Sequence, residues 1–382
     1  MESDGFKMVE QSKKTINPFY FICWIILVIG KGLNFSGESV QMQLLVIISI
    51  IIGFVGIIRN KYTKKELMIV VALVGLGVIT TIFCKKVTIL LSIVIICLGK
   101  NQNLNKLIKI SFWIKLVLMC GTVILALNGE LGTTTMYMTR YGVVYNRNGL
   151  GLGHANIAQM TLFICVIMFL YAYWEKINIV LLVLIILSDI YFYNHTFSRT
   201  GFLITLAIPF LVVLYKSTRF NFCKKILTRI LVYIYVWLPV FCFVVSLCYK
   251  VSGLSRKLNY LISSRFSAGY YYLLKYPFSL FGNYIDNDVY PLDNSYFYTY
   301  VAFGSIVLVM YLVFSTKMMK KFERENRYCE IVLLSVIALY SVAENSFTNI
   351  TMNFTLLFFS ELIYKPVGCE RANLEVDNET RT

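Results

Sequence analysis

Four short stretches of this chain hold residue types able to do chemistry. Residues 142–160 read GVVYNRNGLGLGHANIAQM and bring Arg147, the alternate glycines Gly149, Gly151 and Gly153, then His154 and Asn156 into close succession. Alternate glycines let backbone approach a ligand or a neighbouring helix, and an imidazole exchanges its proton near neutrality. A glycine-rich loop carrying an interfacial histidine is the ordinary alternative, and both readings stand. Residues 194–204, NHTFSRTGFLI, place His195 and Arg199 just ahead of an apolar run. An arginine there is either a snorkelling anchor or, at a helix N-terminus whose backbone donors favour an anion, a phosphate ligand. The anion site is favoured, with His195 orienting the turn. Residues 291–306, PLDNSYFYTYVAFGSI, start another apolar run with Asp293, Asn294 and Ser295. Asp or Asn is a natural helix cap, and a carboxylate at that mouth is also a candidate general base. Glu344, in ALYSVAENSFTNI, is either an ordinary loop residue or an ionisable group kept in the membrane for function.

These residues need a scaffold, and the composition says which kind. The chain of 382 residues is 58% hydrophobic and 15% charged. Apolar runs of the length that crosses a bilayer recur throughout it. The net charge of +16 does not point to nucleic acid, because the basic residues sit in the gaps between apolar runs. The ten cysteines show no CxxC spacing; Cys23, Cys97, Cys120, Cys165, Cys242 and Cys248 lie in apolar runs and act as small hydrophobes. Asp286 and Asp288, without further ligands, do not make a metal site. No metal and no cofactor are expected.

Hydropathy predicts an all-α polytopic membrane protein with about twelve transmembrane helices, forming one domain over residues 1–382. The spans fall near 18–33, 40–58, 67–83, 87–98, 107–127, 157–173, 177–193, 200–215, 228–249, 294–314, 329–343 and 346–364. The first is read as a retained span, not a cleaved signal. The fourth is short for a hydrocarbon core of about 30 Å. The last two are separated only by Glu344 and Asn345, as a tight hairpin. With the N-terminus in the cytoplasm, 24 of the 36 Lys and Arg fall on the inner segments and 11 on the outer ones, with Lys115 inside a span. That split predicts a multi-pass plasma-membrane protein with both termini cytoplasmic. The tail 366–382 reads as disordered. Two loops are then external, 128–156 and 251–293. The longer one carries Arg256, Lys257, Arg265 and Lys275 and a run of tyrosines including Tyr270, Tyr271 and Tyr272. Cations with tyrosine suit a sugar or a phosphate. All four chemical stretches share that outer face.

The set RNGLGLGHAN, then HTFSRTGF ahead of a span, then YPFSLFGN followed by LDNSYFYTYVAFGSI, resembles the O-antigen polymerase family, the Wzy-type enzymes that join polysaccharide repeat units in bacteria. The resemblance covers most of the chain as topology and these stretches as motif. The distantly similar O-antigen ligases commonly carry histidine before the asparagine that opens the helix after the long loop. Asp293 stands there in this sequence, which favours polymerase over ligase. The resemblance implies a GT-C-like membrane glycosyltransferase in the bacterial plasma membrane, working without metal or nucleotide sugar. It implies an undecaprenyl-diphosphate-linked oligosaccharide as substrate, membrane lipid around it, and a flippase and a chain-length regulator as candidate partner proteins. Capsule, exopolysaccharide and O-antigen are all open as products. Arginines would hold the diphosphate, with Arg199 first and Arg147 and Arg265 next. Asp293 and His154 are the candidate catalytic bases, and Asn156, His195 and Asn294 are candidate substrate contacts. A ligase-like transferase and a flippase of lipid-linked oligosaccharide are the alternatives.

Overall fold

The computed structural model describes residues 16–140, 142–217, 219–285 and 291–364. The expected disordered tail 366–382 and the pair Asp286 and Asp288 lie outside the described residues. The first half runs α1 (Pro18–Gly32), α2 (Val40–Arg59), α3 (Lys64–Cys84), α4 (Thr88–Leu98) and α5 (Leu104–Leu127), then strands β1 (Thr135–Arg140) and β2 (Val143–Asn148). After these come α6 (Ala155–Tyr173), α7 (Ile179–Thr196), α8 (Arg199–Lys216), α9 (Asn221–Val232) and α10 (Ile234–Leu247). The long loop contains α11 (Gly253–Leu261) and α12 (Arg265–Lys275). The described residues end with α13 (Ser295–Tyr298), α14 (Ser305–Arg324), α15 (Tyr328–Tyr340) and α16 (Ser360–Ile363).

Among the described residues, six helices are long and apolar enough to cross a bilayer: α2, α3, α5, α6, α7 and α8. A seventh crossing arises if α9 and α10, bent by 61° at a short break, count as one. Helices α1, α4 and α15 are apolar but shorter. Helices of about 20 residues rise about 30 Å, so the long ones match a hydrocarbon core. Their outward faces remain apolar: Ile51 and Ile58 on α2, Val71 and Ile82 on α3 and Val117 on α5 are exposed. A surface of that kind is covered by lipid. The coarse expectation of an all-α membrane protein therefore holds.

Some segments depart from the expected spans, each for a physical reason. Helix α4 has only 11 residues and every position from Leu91 to Leu98 is buried. It is enclosed by protein, so bilayer thickness does not set its length. The expected span 346–364 is not one helix. Residues 341–353 are irregular, then a 3-10 turn (Phe354–Phe359) leads into α16. Irregular backbone at this depth survives only where protein satisfies it. Here Ser92 Oγ donates to Thr348 O and accepts from Ile350 N, Asn353 Nδ2 donates to Phe347 O, and Ser295 Oγ donates to Glu344 O. Glu344 thus lies at the start of a buried irregular stretch, where a tight hairpin between two spans was expected. Loop 128–156 contains a β-hairpin in which Met136 pairs with Arg147. Its Val143 and Val144 stay exposed, so alternation of apolar and polar residues gave no strand signal.

The alternation of ends survives these changes. At one end Arg147 Nε donates to Thr196 O (2.7 Å), Lys86 Nζ to Tyr298 OH (2.6 Å) and Arg265 Nε to Ala343 O (2.9 Å). At the other end Asn17 N donates to Gln102 Oε1, Lys100 pairs with Glu66, Lys216 reaches Ile177 O, and Arg327 pairs with Glu361. The loops expected on one face gather at the first end and those expected on the other gather at the second.

At the first end, the long loop is stitched to the break before α14. Ser305 N donates to Ser279 O and Asn283 N to Val301 O. Gly304 has φ +91°, and a Cβ there would lie 2.3 Å from Leu280 O. Both the left-handed backbone and the contact demand glycine. Gly304→Ala is expected to cost about 1–3 kcal/mol of strain and more through the clash. It should appear as a lowered thermal unfolding midpoint of the detergent-solubilised protein.

Candidate functional site

Four chain segments meet at the hairpin end. The first is β2 and the glycine loop after it. A Cβ on Gly149 would fall 1.6 Å from Gly153 O, so only glycine lets this loop close and deliver His154 to the start of α6. His154 is the N-cap of α6: its Nδ1 accepts from Asn156 N at 3.1 Å. Arg147, 7% exposed, points in from β2. Its Nε donates to Thr196 O at the end of α7, and its NH2 donates to Asn156 Oδ1.

The second segment is the start of α12. Asn259 Oδ1, from α11, accepts from Phe266 N and Ser267 N and so caps the helix that Arg265 opens. Arg265 binds three ways: Nε to Ala343 O at 2.9 Å, NH1 to Asp293 Oδ2 at 2.6 Å, and NH2 to Glu344 Oε1 at 3.5 Å. The third segment brings Asp293, with 29% of its side-chain surface open. The fourth brings Glu344, whose Oε1 also accepts from Asn156 Nδ2 at 2.9 Å. Arg147, Asn156, Glu344, Arg265 and Asp293 therefore form one continuous polar chain, with His154 at its edge.

Burial pushes the Glu344 carboxyl up to about 8; neighbouring Asp293 adds to this, and Arg265 and Arg147 oppose it. Asp293 is raised by burial against the pull of Arg265 and His154. Burial, then Arg147, lowers His154 below its ordinary value, with Asp293 acting the other way. At neutral pH the imidazole is neutral. Its Nδ1 accepts the capping hydrogen bond, so the proton sits on Nε2. His154 therefore presents a donor to the site, and acting as a base would require breaking the cap of α6.

The Glu344 shift carries a pH dependence of stability. The folded state holds this proton more tightly than the unfolded chain, where the group titrates near 4.5. Its stabilising contribution is full below that value and is lost as pH rises to about 8. Glu344→Gln keeps an acceptor for Asn156 and is expected to flatten the fall. Unfolding midpoints between pH 5 and 9 measure this; an unchanged slope would remove Glu344 as its source.

The other expected site residues lie outside this chain of contacts. Arg199 opens α8, as expected, but among the described residues its guanidinium makes no hydrogen bond or ion pair, and its Nε is buried without a partner. It borders the cluster by position, since Arg147 reaches Thr196, three residues earlier. His195 packs edge-on to Tyr191 at 4.9 Å and reaches no other site residue. Asn294, fully buried, is not available to substrate. Its Oδ1 caps Tyr296 N and Phe297 N, and its Nδ2 donates to Val342 O. The cap of α13 is thus Asn294, and Asp293 is free of that duty.

Sequence reasoning missed the support behind Arg147. Thr196 Oγ1 donates to Gln159 Oε1 at 3.1 Å, and Gln159 Nε2 donates to Asp189 Oδ1 at 2.6 Å. Asp189, the lone carboxylate in the apolar run of α7, was the legible signal. Among the described residues no group of three or more His, Cys, Asp or Glu side chains is placed to hold a metal ion. No protein-family model, curated protein or solved structure matches the chain.

Proposed function

We propose that this protein polymerises lipid-linked oligosaccharide repeat units, transferring a glycan from a polyprenyl diphosphate to a sugar hydroxyl of a second repeat unit. The observation that carries the reading is the convergence of Arg147 and Arg265 on Glu344, with Asp293 partly open beside them. A diphosphate leaving group needs cations that stabilise charge as it develops, and arginine matches its oxygens. Arg199, unpartnered at the N-terminus of α8, adds a third. With Glu344 protonated, the cluster of Arg147, Arg265 and Asp293 keeps one net positive charge for the incoming anion.

The step balances within this site. The acceptor hydroxyl oxygen bonds to the anomeric carbon, the bond from that carbon to the diphosphate oxygen breaks, and the hydroxyl proton passes to Asp293. The leaving electron pair goes to the diphosphate. His154 Nε2–H donates to a sugar or phosphate oxygen. We read the protein as having about twelve passes and both termini cytoplasmic, on the bias of Lys and Arg between the two ends, and a GT-C-like fold is what its resemblance to the polymerases implies. The site then faces outward in a bacterial plasma membrane, and the product is a cell-envelope polysaccharide.

A carrier of lipid-linked oligosaccharide is the second reading. Asp189 favours it: this carboxylate is fully buried inside α7 and its Oδ2 has no partner, a placement typical of translocation pathways. Purified protein in liposomes with a lipid-linked repeat unit separates the readings. A ladder of products on a gel supports the polymerase. One addition without a ladder makes it a ligase-like transferase, and movement of repeat units without new linkage makes it a carrier.

A further inference from the structure

We infer that α11 is an interfacial helix that docks the long loop on a bilayer surface rich in anionic lipid headgroups. The observation is an inverted helix. Residues Gly253–Leu261 bury their polar side, Ser255 and Asn259, against the protein. They expose Leu254 (67%) and Leu261 (59%), next to Val251 at 83%. Successive residues turn by about 100°, which places Leu254, Leu258 and Leu261 on one strip and Arg256, Lys257 and Tyr260 on the adjoining one. An apolar strip beside a basic strip is the pattern of a helix lying in the plane of the membrane interface.

The surroundings say what covers it. Val240, Val244 and Leu247 on α10 are exposed, so an apolar belt climbs α10 and continues into Val251 and Leu254. The belt belongs to a helix pair apolar enough to span a bilayer, so its upper edge meets the headgroups. Residues 251–285 contain Arg256, Lys257, Arg265 and Lys275 and no Asp or Glu. Gly253, Arg256, Lys257, Tyr260 and Leu261 line a surface depression of about 690 Å³, open to a phosphate headgroup. Juxtamembrane cations attract anionic lipid headgroups.

Docking here would act on the site. Asn259 belongs to α11 and caps α12, which begins with Arg265. The bilayer would hold α11, α11 would hold the start of α12, and Arg265 would keep its place beside Asp293 and Glu344. The inference rests on the apolar belt and is independent of glycan transfer.

Site-directed nitroxide labels test it. Leu254→Cys and, separately, Leu261→Cys are made with Cys120, Cys223 and Cys248, the cysteines not buried among the described residues, and with Cys369, which lies outside the described residues, all changed to serine. A label at Val117, exposed on α5, serves as the lipid reference. The protein is placed in phosphatidylcholine vesicles with or without phosphatidylglycerol. Collisions with oxygen are expected to exceed those with a water-soluble nickel chelate several-fold at both sites. Phosphatidylglycerol should move the labels deeper, and the double change Arg256→Gln with Lys257→Gln should abolish that shift. Dominant nickel collisions would overturn the proposal, as would shielding from both probes, which would mean a protein cover such as a second copy. Equal depth in both lipids would overturn the headgroup assignment.

Discussion

Arg265→Ala is expected to abolish the product ladder and to lower stability by about 3–5 kcal/mol. The change removes the cation between two largely buried carboxylates, and breaking such a pair leaves uncompensated charge inside the protein. It also removes the 2.9 Å tie to Ala343 O, which holds the irregular stretch 341–353 against α12. Arg265→Lys separates the two losses. It keeps a positive charge near Asp293 but cannot serve Asp293, Glu344 and Ala343 O with one planar fork. The lysine variant is therefore expected to fold nearly as well as the parent and still lose most turnover. Thermal unfolding in detergent and the gel ladder in liposomes read the two effects. A lysine variant with parental turnover would reduce Arg265 to a structural clamp.

Asp293→Asn is expected to lower turnover by about 10²–10⁴-fold, the range for loss of a positioned general base, with a much smaller change in substrate affinity. The substitution keeps the shape and leaves an oxygen for Arg265 NH1, which now lies 2.6 Å from Asp293 Oδ2. If Asp293 only tethers Arg265, the asparagine should retain the contact and turnover should fall less than tenfold. The base then has to be sought elsewhere. His154 is a poor substitute, because its Nδ1 is committed to the cap of α6. Glu344 is the remaining carboxylate in contact with Arg265. Substrate affinity adds a check on its charge. Deprotonation of Glu344 removes the net positive charge from the cluster, so KM for a diphosphate-linked lipid is expected to rise as pH passes about 8. Glu344→Gln should not show this rise.

The chain's own order of residues determined its class and its two ends. Long apolar runs have one stable solution in lipid, a helix that satisfies its own backbone. Lys and Arg gather between these runs, and the expected helices through residue 216 appear nearly where hydropathy puts them, whereas the span expected at 228–249 is divided between α9 and α10 by a 61° bend. The stretches around Arg147, His154, Asp293 and Glu344 stand out for the same reason: each breaks an apolar pattern. What the order of residues left open is which of them meet. Asn156 bonds Glu344 across 188 positions, and Arg265 bonds Ala343 across 78; no local rule reports such pairings. Arg265 was one cation among several in a long loop until Asn259 fixed the start of α12. Asn294 and Asp293 were equivalent caps until the Asn294 amide was found spent on α13 and Val342 O. Arg199 had the strongest local signal, yet at this site it is Arg265 that the fold pairs with carboxylates and Arg147 that it links to Glu344 through Asn156. The irregular stretch 341–353 was hidden for the same reason. Its apolar residues read as a span, and it is side chains brought in by the fold, Ser92 of α4, Ser295 of α13 and Arg265 of α12 among them, that bond the backbone where it leaves the helix.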